Sequence, residues 1–223
     1  MIKAILIDID NTLLDFDASA RLAIEEGFAK RGIDFSDNVI DVFHRINNSL
    51  WKRLENGELT KQGLFDIRWN TIFEALGVKA DGIEFEAYFR AYLFDSAVQM
   101  DGALDLLKYL ASKYDVYAAS NGTHAQQINR LTRAGMIDML KNVFTSQALG
   151  VQKPEKEFFH KCLEQMNCAP QEVMMIGDSL SADIGGAKNA GLMTCWFDVK
   201  KTSNGNSIAD HTVTELNDIK QIL

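Results

Sequence analysis

Four apolar residues, Ala4–Ile7, run without interruption into Asp8. A short run of this kind, rich in isoleucine, predicts a strand buried on both faces with an acidic cluster at its carboxyl end. From about residue 17 to residue 95 the apolar positions change to helical spacing, which predicts four helices and no strand. Asp17 is placed to cap the first helix and Gly32 follows its end. In the second, Val39, Phe43, Ile46, Leu50 and Leu54 form the apolar stripe, and Asn56-Gly57 marks the stop. Thr60 caps the third, whose stripe of Phe65, Trp69, Ile72, Phe73 and Leu76 ends at Gly77. The fourth runs roughly over residues 83–94.

Beyond Gly102 the two periods alternate. Residues 103–112 read as helix and 116–119 as a strand ending at Ser120. A helix then reaches about residue 134, residues 143–145 form a short strand, and 155–166 a helix. Residues 173–176 predict a strand ending at Gly177-Asp178, 182–190 a helix stopped by Gly191, and 193–197 a further strand. Strands alternating with helices predict an α/β fold, a Rossmann-like parallel sheet with helices on both faces. The all-helical, four-helix stretch falls between the first strand and the rest. The expected division is therefore a core of residues 1–15 and 97–223 with an inserted domain of residues 16–96.

Composition narrows the partners. Lys and Arg number 23 against 31 Asp and Glu, a formal net charge of −8. An acidic surface repels polyanions, so neither a nucleic acid polymer nor an anionic membrane is expected as a partner. A phosphorylated ligand must then be held by local cations and backbone donors. Cys162, Cys168 and Cys195 match no zinc spacing and read as reduced thiols of a cytoplasmic protein. The opening MIKAILIDID turns acidic too soon for a secretory signal, and no apolar run reaches membrane-spanning length.

Open parallel sheets place ligands at the carboxyl ends of their strands. Three predicted strands end there in polar residues: Asp8 with Asp10, Ser120 with Asn121 and Gly122, and Asp178. Lys153 stands before Pro154 in a connecting loop. Each alone has a bland reading as a turn residue, a helix cap or a solvated charge. Their joint order is what carries information. Asp8-Ile9-Asp10-Asn11-Thr12, Ser120-Asn121-Gly122, Lys153-Pro154 and Gly177-Asp178-Ser179-Leu180-Ser181-Ala182-Asp183 follow one another as the four motifs of a known family. The chain resembles the haloacid dehalogenase superfamily of phosphohydrolases, in the group with a helical cap inserted after the first motif.

The resemblance implies a specific chemistry. Asp8 matches the nucleophile that forms an aspartyl-phosphate, and Asp10 the general acid–base. Ser120, the Asn121 backbone N–H and Lys153 match the groups that bind phosphoryl oxygens. Asp8, the Asp10 carbonyl and Asp178 match the ligands of Mg²⁺, and Asp183 the carboxylate that orients a metal-bound water or Lys153. Clustered carboxylates are costly without a cation, which independently asks for a metal. Serine at the second motif replaces a threonine often seen in the family; either hydroxyl donates.

The insert resembles a narrower branch. Ile46-Asn47-Asn48-Ser49-Leu50-Trp51, Glu55-Asn56-Gly57-Glu58-Leu59-Thr60, Arg68, Asp15-Phe16 and Thr194-Cys195-Trp196 look like bacterial nucleoside 5′-monophosphatases that act on pyrimidine nucleotides. In that case Trp51 and Asn47 would stack on and hydrogen-bond a base, Arg68 would reach a phosphate or ribose, and Phe16 would touch the substrate. The alternative for each is packing within the helical domain or its hinge. The expected partner is a small phosphomonoester, a nucleoside monophosphate foremost, and the expected state a monomer or weak homodimer. A phosphatase for a sugar phosphate or phosphoglycolate remains open. A hydrolytic dehalogenase would need neither Asp10 nor Asp178. A mutase-like transferase would use the same four motifs with a different cap, and a degenerate binding module would not keep the motif residues intact.

Overall fold

Strand β1 (Ala4–Ile7) is buried at every position because the chain places it at the centre of a sheet. Its period of two divides the apolar residues between both faces. Ile5 and Ile7 join Leu106, Leu110, Val116, Ile176 and Phe197 on one side, while Ala4 and Leu6 join Phe158, Phe159, Cys162 and Met175 on the other. The computed structural model describes residues 1–203 and 207–223. It forms two compact units, Met1–Phe16 with Ala97–Leu223, and Asp17–Ser96.

The first unit is the α/β fold. Its strands β1, β2 (Asp115–Ser120), β3 (Asn142–Thr145), β4 (Val173–Gly177), β5 (Met193–Phe197) and β6 (His211–Val213) make one sheet in the order β3-β2-β1-β4-β5-β6. Every pair is parallel. Helices α5 (Ala103–Ala111), α6 (His124–Arg133), α7 (Ser146–Leu149), α8 (Lys156–Met166) and α9 (Gly186–Asn189) supply the connections. They bury both faces, as a parallel sheet requires.

The second unit holds α1 (Phe16–Ala29) from its second residue, α2 (Asp37–Glu55), α3 (Lys61–Leu76) and α4 (Gly82–Asp95). Thr60 caps α3 by accepting from the Gly63 N–H at 3.0 Å, and Gly77 ends it at φ 68°, a left-handed conformation that glycine adopts without strain. The core of this unit is aromatic: Phe28, Phe43, Trp69, Phe73, Phe85 and Phe89 are all nearly fully buried. Trp69 lies 4.2 Å from Phe85 and 5.2 Å from Phe89 between ring centroids, in the tilted and edge-on arrangements that ring quadrupoles favour.

In four places the structure departs from the expectations of the sequence or adds to them. Asp17 lies inside the first turn of α1, which already begins at Phe16, so it does not cap that helix. The fourth helix begins at Gly82 and is capped by Asp81, whose side chain accepts from the Ile83 and Glu84 N–H groups. Residues 182–190 are not one α-helix: a π-helical segment, Leu180–Gly185, precedes the single turn of α9. Strand β6 and the short α7 have no strong sequence signal, since three or four residues are too few to display a period.

Candidate active site

Register gathers the motif residues at one edge. Ile7 is level with Ala118 on one side and Ile176 on the other, so the residues that follow β1, β2 and β4 emerge side by side. The Asp8 N–H donates to Ile176 O at 2.8 Å and extends the ladder by one rung. The chain then turns back on itself, with the Leu13 and Leu14 N–H groups donating to Ile9 O at 2.9 and 2.8 Å. Asn11 takes φ 60° in this turn, a conformation that asparagine tolerates better than most side chains. Asp8 and Asp10 flank the buried Ile9, and Asp8 is itself 6% exposed.

Lys153 is buried among acceptors. Its Nζ donates to Asp8 Oδ1 at 2.7 Å, Asp183 Oδ1 at 2.6 Å and Ala119 O at 2.9 Å, which uses all three ammonium protons. Burial by itself would lower its pKa, but Asp183 and Asp8 outweigh burial and hold the ammonium charged. Asn121 fixes the backbone on which Lys153 rides: its Nδ2 donates to Lys153 O and its Oδ1 accepts from the Lys153 N–H, both at 2.9 Å. That side-chain task was not legible in the sequence, where Asn121 stood only as a backbone donor.

Asp183 faces inward from the π-helical segment. Its Oδ2 accepts from the Ser179 N–H at 3.0 Å, and it is 1% exposed. A wide turn at a functional edge is a recurring use of π geometry. Gly177 makes room for it, since a Cβ there would stand 2.3 Å from Asp183 Oδ2. Trp196 on β5 donates from Nε1 to Asp178 O at 2.8 Å and anchors the loop that carries Asp178.

Asp8, Asp178 and Asp183 each offer a carboxylate oxygen within 4.8 Å of the others. One ammonium does not balance three such groups. Burial first, then Asp183 and Asp10, push the Asp8 carboxyl up to about 7 against the pull of Lys153. Burial, then Asp8 and Asp183, raise Asp178 well above the usual carboxylate range, although part of its surface remains accessible. Both Asp183 oxygens already accept hydrogen bonds, so Asp8 and Asp178 are the carboxylates better placed to accept a further charge. An anionic, all-oxygen set of this kind suits a hard divalent cation.

Two residues that the sequence reading missed complete the cluster. Gln127 and Arg130 on α6 are both fully buried, and both reach Asp10. Gln127 also donates to Ser120 Oγ at 2.7 Å. Polar side chains on a helix ordinarily read as its solvated face; the available signal was their spacing of three, one turn apart, on the side shared with buried Leu131.

The residues of the helical unit are placed differently. Arg68 is 2% exposed; its Nε and Nη2 donate to the two carboxylate oxygens of Glu86 at 3.0 and 2.6 Å, and its Nη1 to Asn47 Oδ1 at 3.0 Å. Asn47 is buried with it, and Trp51 on α2 is half-buried. Phe16 opens α1 and is half-buried.

Known proteins are similar to this chain over nearly its whole length. The family of haloacid dehalogenase-like hydrolases matches residues 2–191. YfnB of Bacillus subtilis, named only as a HAD-hydrolase, is 32% identical over 99% of this chain and 95% of its own. The pyrimidine 5′-nucleotidase PynA of Streptococcus pneumoniae is 36% identical over 94% of this chain and 87% of its own. The pyrimidine 5′-nucleotidase YjjG of Escherichia coli is 31% identical over 98% and 96%. The crystal structure of YfnB bound to magnesium covers 100% of this chain and 98% of its own with a TM-score of 0.92. From its sheet order to its four motifs, the chain belongs to the haloacid dehalogenase-like hydrolases.

Proposed function

We propose that this hydrolase is a Mg²⁺-dependent phosphomonoesterase that works through an aspartyl-phosphate on Asp8, with pyrimidine nucleoside 5′-monophosphates as its preferred substrates. The chemistry rests on one observation: a buried ammonium, Lys153, holds the Asp8 carboxylate at 2.7 Å at the end of the central strand. An anionic nucleophile meets an anionic phosphoryl group there, and fixed positive charge in a desolvated site is what lowers that barrier. Bound Mg²⁺, held by Asp8, Asp178 and the Asp10 carbonyl, would add the charge that the three carboxylates call for.

In the first step an Asp8 carboxylate oxygen forms a bond to phosphorus as the ester P–O bond breaks. Asp10 delivers a proton to the departing alcohol oxygen. Ser120, the Asn121 N–H and Lys153 hold the non-bridging oxygens, with Asp183 keeping Lys153 in place. In the second step Asp10 takes a proton from water, the water oxygen bonds to phosphorus, and the bond to Asp8 breaks. Inorganic phosphate leaves and Asp8 is a carboxylate again. A dehalogenating hydrolase would give Asp10 and Asp178 no task.

The substrate class is supported by the pyrimidine nucleotidases at 36% and 31% identity. Phe16 and Trp51, both half-buried, are the residues proposed to contact the nucleoside, whereas Asn47 and Arg68, expected to join them, are buried and hydrogen-bonded to each other, Arg68 also to Glu86, and have a packing role. The test is a screen of phosphomonoesters with and without Mg²⁺, measuring phosphate release. Pyrimidine nucleotides should lead the ranking, and chelation should abolish release. Sugar phosphates or phosphoglycolate at the head of the ranking would replace the nucleotidase reading, and full activity after exhaustive chelation would remove the metal. Trp51→Ala should lower kcat/KM for a nucleotide roughly ten- to a hundredfold, the size of one lost stacking contact. It should leave p-nitrophenyl phosphate, which has no nucleoside, nearly unchanged.

A further inference from the structure

Gln127 and Arg130 sit beneath the reacting groups, 0% exposed, and neither belongs to the four motifs. Four of their hydrogen bonds link the two residues to each other, to Asp10 and to Ser120. Arg130 donates from Nη1 to Asp10 Oδ1 and to Gln127 Oε1, the latter at 3.0 Å. Gln127 donates from Nε2 to Asp10 Oδ2 at 2.6 Å and to Ser120 Oγ at 2.7 Å. Both protons of the Gln127 amide are therefore spent, and its oxygen faces a guanidinium. The reversed amide would set an oxygen against the Asp10 carboxylate and a nitrogen against Arg130, so only one orientation is compatible with its neighbours.

Two consequences follow for the groups that meet substrate. Ser120 Oγ accepts from Gln127 and also from the Gly122 N–H at 2.9 Å. With both lone pairs occupied, its own proton is left to donate outward, the sense that a phosphoryl oxygen needs. Asp10 is gripped at both oxygens, and each keeps a second lone pair for the proton being moved. Gly122 permits the approach, because a Cβ there would lie 2.5 Å from Gln127 Nε2 and 3.0 Å from Ser120 Oγ.

We infer that Gln127 and Arg130 are positioning residues that orient the acid–base Asp10 and fix Ser120 as a donor, coupling leaving-group protonation to phosphate binding. The inference rests on the phosphomonoesterase reading. Its test separates the two through the leaving group. Kinetics are measured for Arg130→Met, Arg130→Lys and Gln127→Met with uridine 5′-monophosphate, whose alkoxide must be protonated, and with p-nitrophenyl phosphate, whose phenolate need not be. Comparison of kcat/KM confines the readout to the first phosphoryl transfer. Arg130→Met should lower kcat/KM for the nucleotide about a hundredfold, the lower end of general acid–base contributions, and that for the aryl ester by less than about tenfold. Arg130→Lys should recover part of the loss. Gln127→Met should show the same ester dependence with a raised KM for both esters, because Ser120 loses its imposed sense.

Equal losses on both esters in folded variants would mean that the pair only packs the core, and would overturn the inference while leaving the enzyme a phosphatase. A gain in nucleotide turnover would mean that Arg130 holds Asp10 away from its task, and overturns it equally. Should Arg130→Met fail to fold, the ester ratio of Gln127→Met decides. Wild-type protein that releases no phosphate from either ester overturns the phosphatase reading, and this inference with it.

Discussion

At the scale of single residues the site is a problem of charge. In the proposed mechanism Asp8 must be ionised to attack, yet it is buried and its carboxyl is pushed up to about 7. Lys153 compensates in part, at 2.7 Å. Asp8→Asn keeps the shape, and its amide is a far weaker nucleophile. It should release phosphate at below about one hundredth of the wild-type rate while circular dichroism remains native; faster steady-state release by a folded protein would reassign the nucleophile. The charged motif residues, Asp8, Asp10 and Asp178 after strand ends and Lys153 in a connecting loop, stood out in the sequence because their motifs follow a fixed order. Gln127 and Arg130 did not, because a sequence shows which helix positions are polar but not which of them turn inward to meet a partner. Asn121 was half legible for the same reason: its motif marked the position, but its reciprocal pairing with the Lys153 backbone is a contact across 32 residues.

At the scale of elements, apolar periods located the four helices of the insert and the five longer strands. They failed where an element is too short or too irregular to show a period, as at β6 and the π-helical segment. There tertiary bonds decide: Asp183, drawn to Lys153 and the Ser179 N–H, widens the turn that ideal helix spacing would have closed. The buried ion pair of α3 and α4 is a second local feature that spacing does not reveal. Arg68 and Glu86 neutralise one another inside an aromatic core, with the Arg68 guanidinium 5.0 Å above the Phe89 ring. Arg68→Ala strands the Glu86 charge and should destabilise the helical unit by about 3–5 kcal/mol. The double variant Arg68→Leu with Glu86→Leu should recover most of that loss, since an apolar pair leaves no charge to desolvate. Urea unfolding followed by far-ultraviolet circular dichroism reads both; a single variant as stable as wild type would show that the pair contributes nothing net.

For the whole molecule, the carboxylate cluster ties stability to pH and to cations together. Asp8 has a folded pKa above the ordinary 3.8. Without a cation, between about pH 4 and pH 7, the folded state holds a proton that the unfolded state has released, so this group's contribution to stability falls as pH rises. A divalent cation held by the proposed ligands would reverse the balance, because it would bind the ionised form and only the folded state assembles those ligands. Added Mg²⁺ should raise the unfolding temperature at about pH 8, and the increase should shrink as pH falls through about 7 and protons compete for Asp8. Asp178→Asn should lose most of the increase at either pH. Thermal unfolding at about pH 5.5 and about pH 8, with chelator and with Mg²⁺, supplies the comparison; an increase indifferent to pH would place the cation away from Asp8.

The place of β1 in the sheet order has a consequence for how the protein is made. Of the six described strands it is made before the others and is one of the two central ones, with its partners at residues 115–118 and 173–176. Both of its hydrogen-bonding edges therefore lack native neighbours until β2 is made, and one edge lacks its neighbour until β4 follows. The residues of the helical unit follow it directly and are complete long before β4 exists. A nascent chain stalled ahead of residue 173 leaves one edge of this wholly apolar strand open, the kind of edge that draws chaperones or aggregates. Release of residues 173–223 is thus what seals the sheet, and with it the end of β1 on which Asp8 stands.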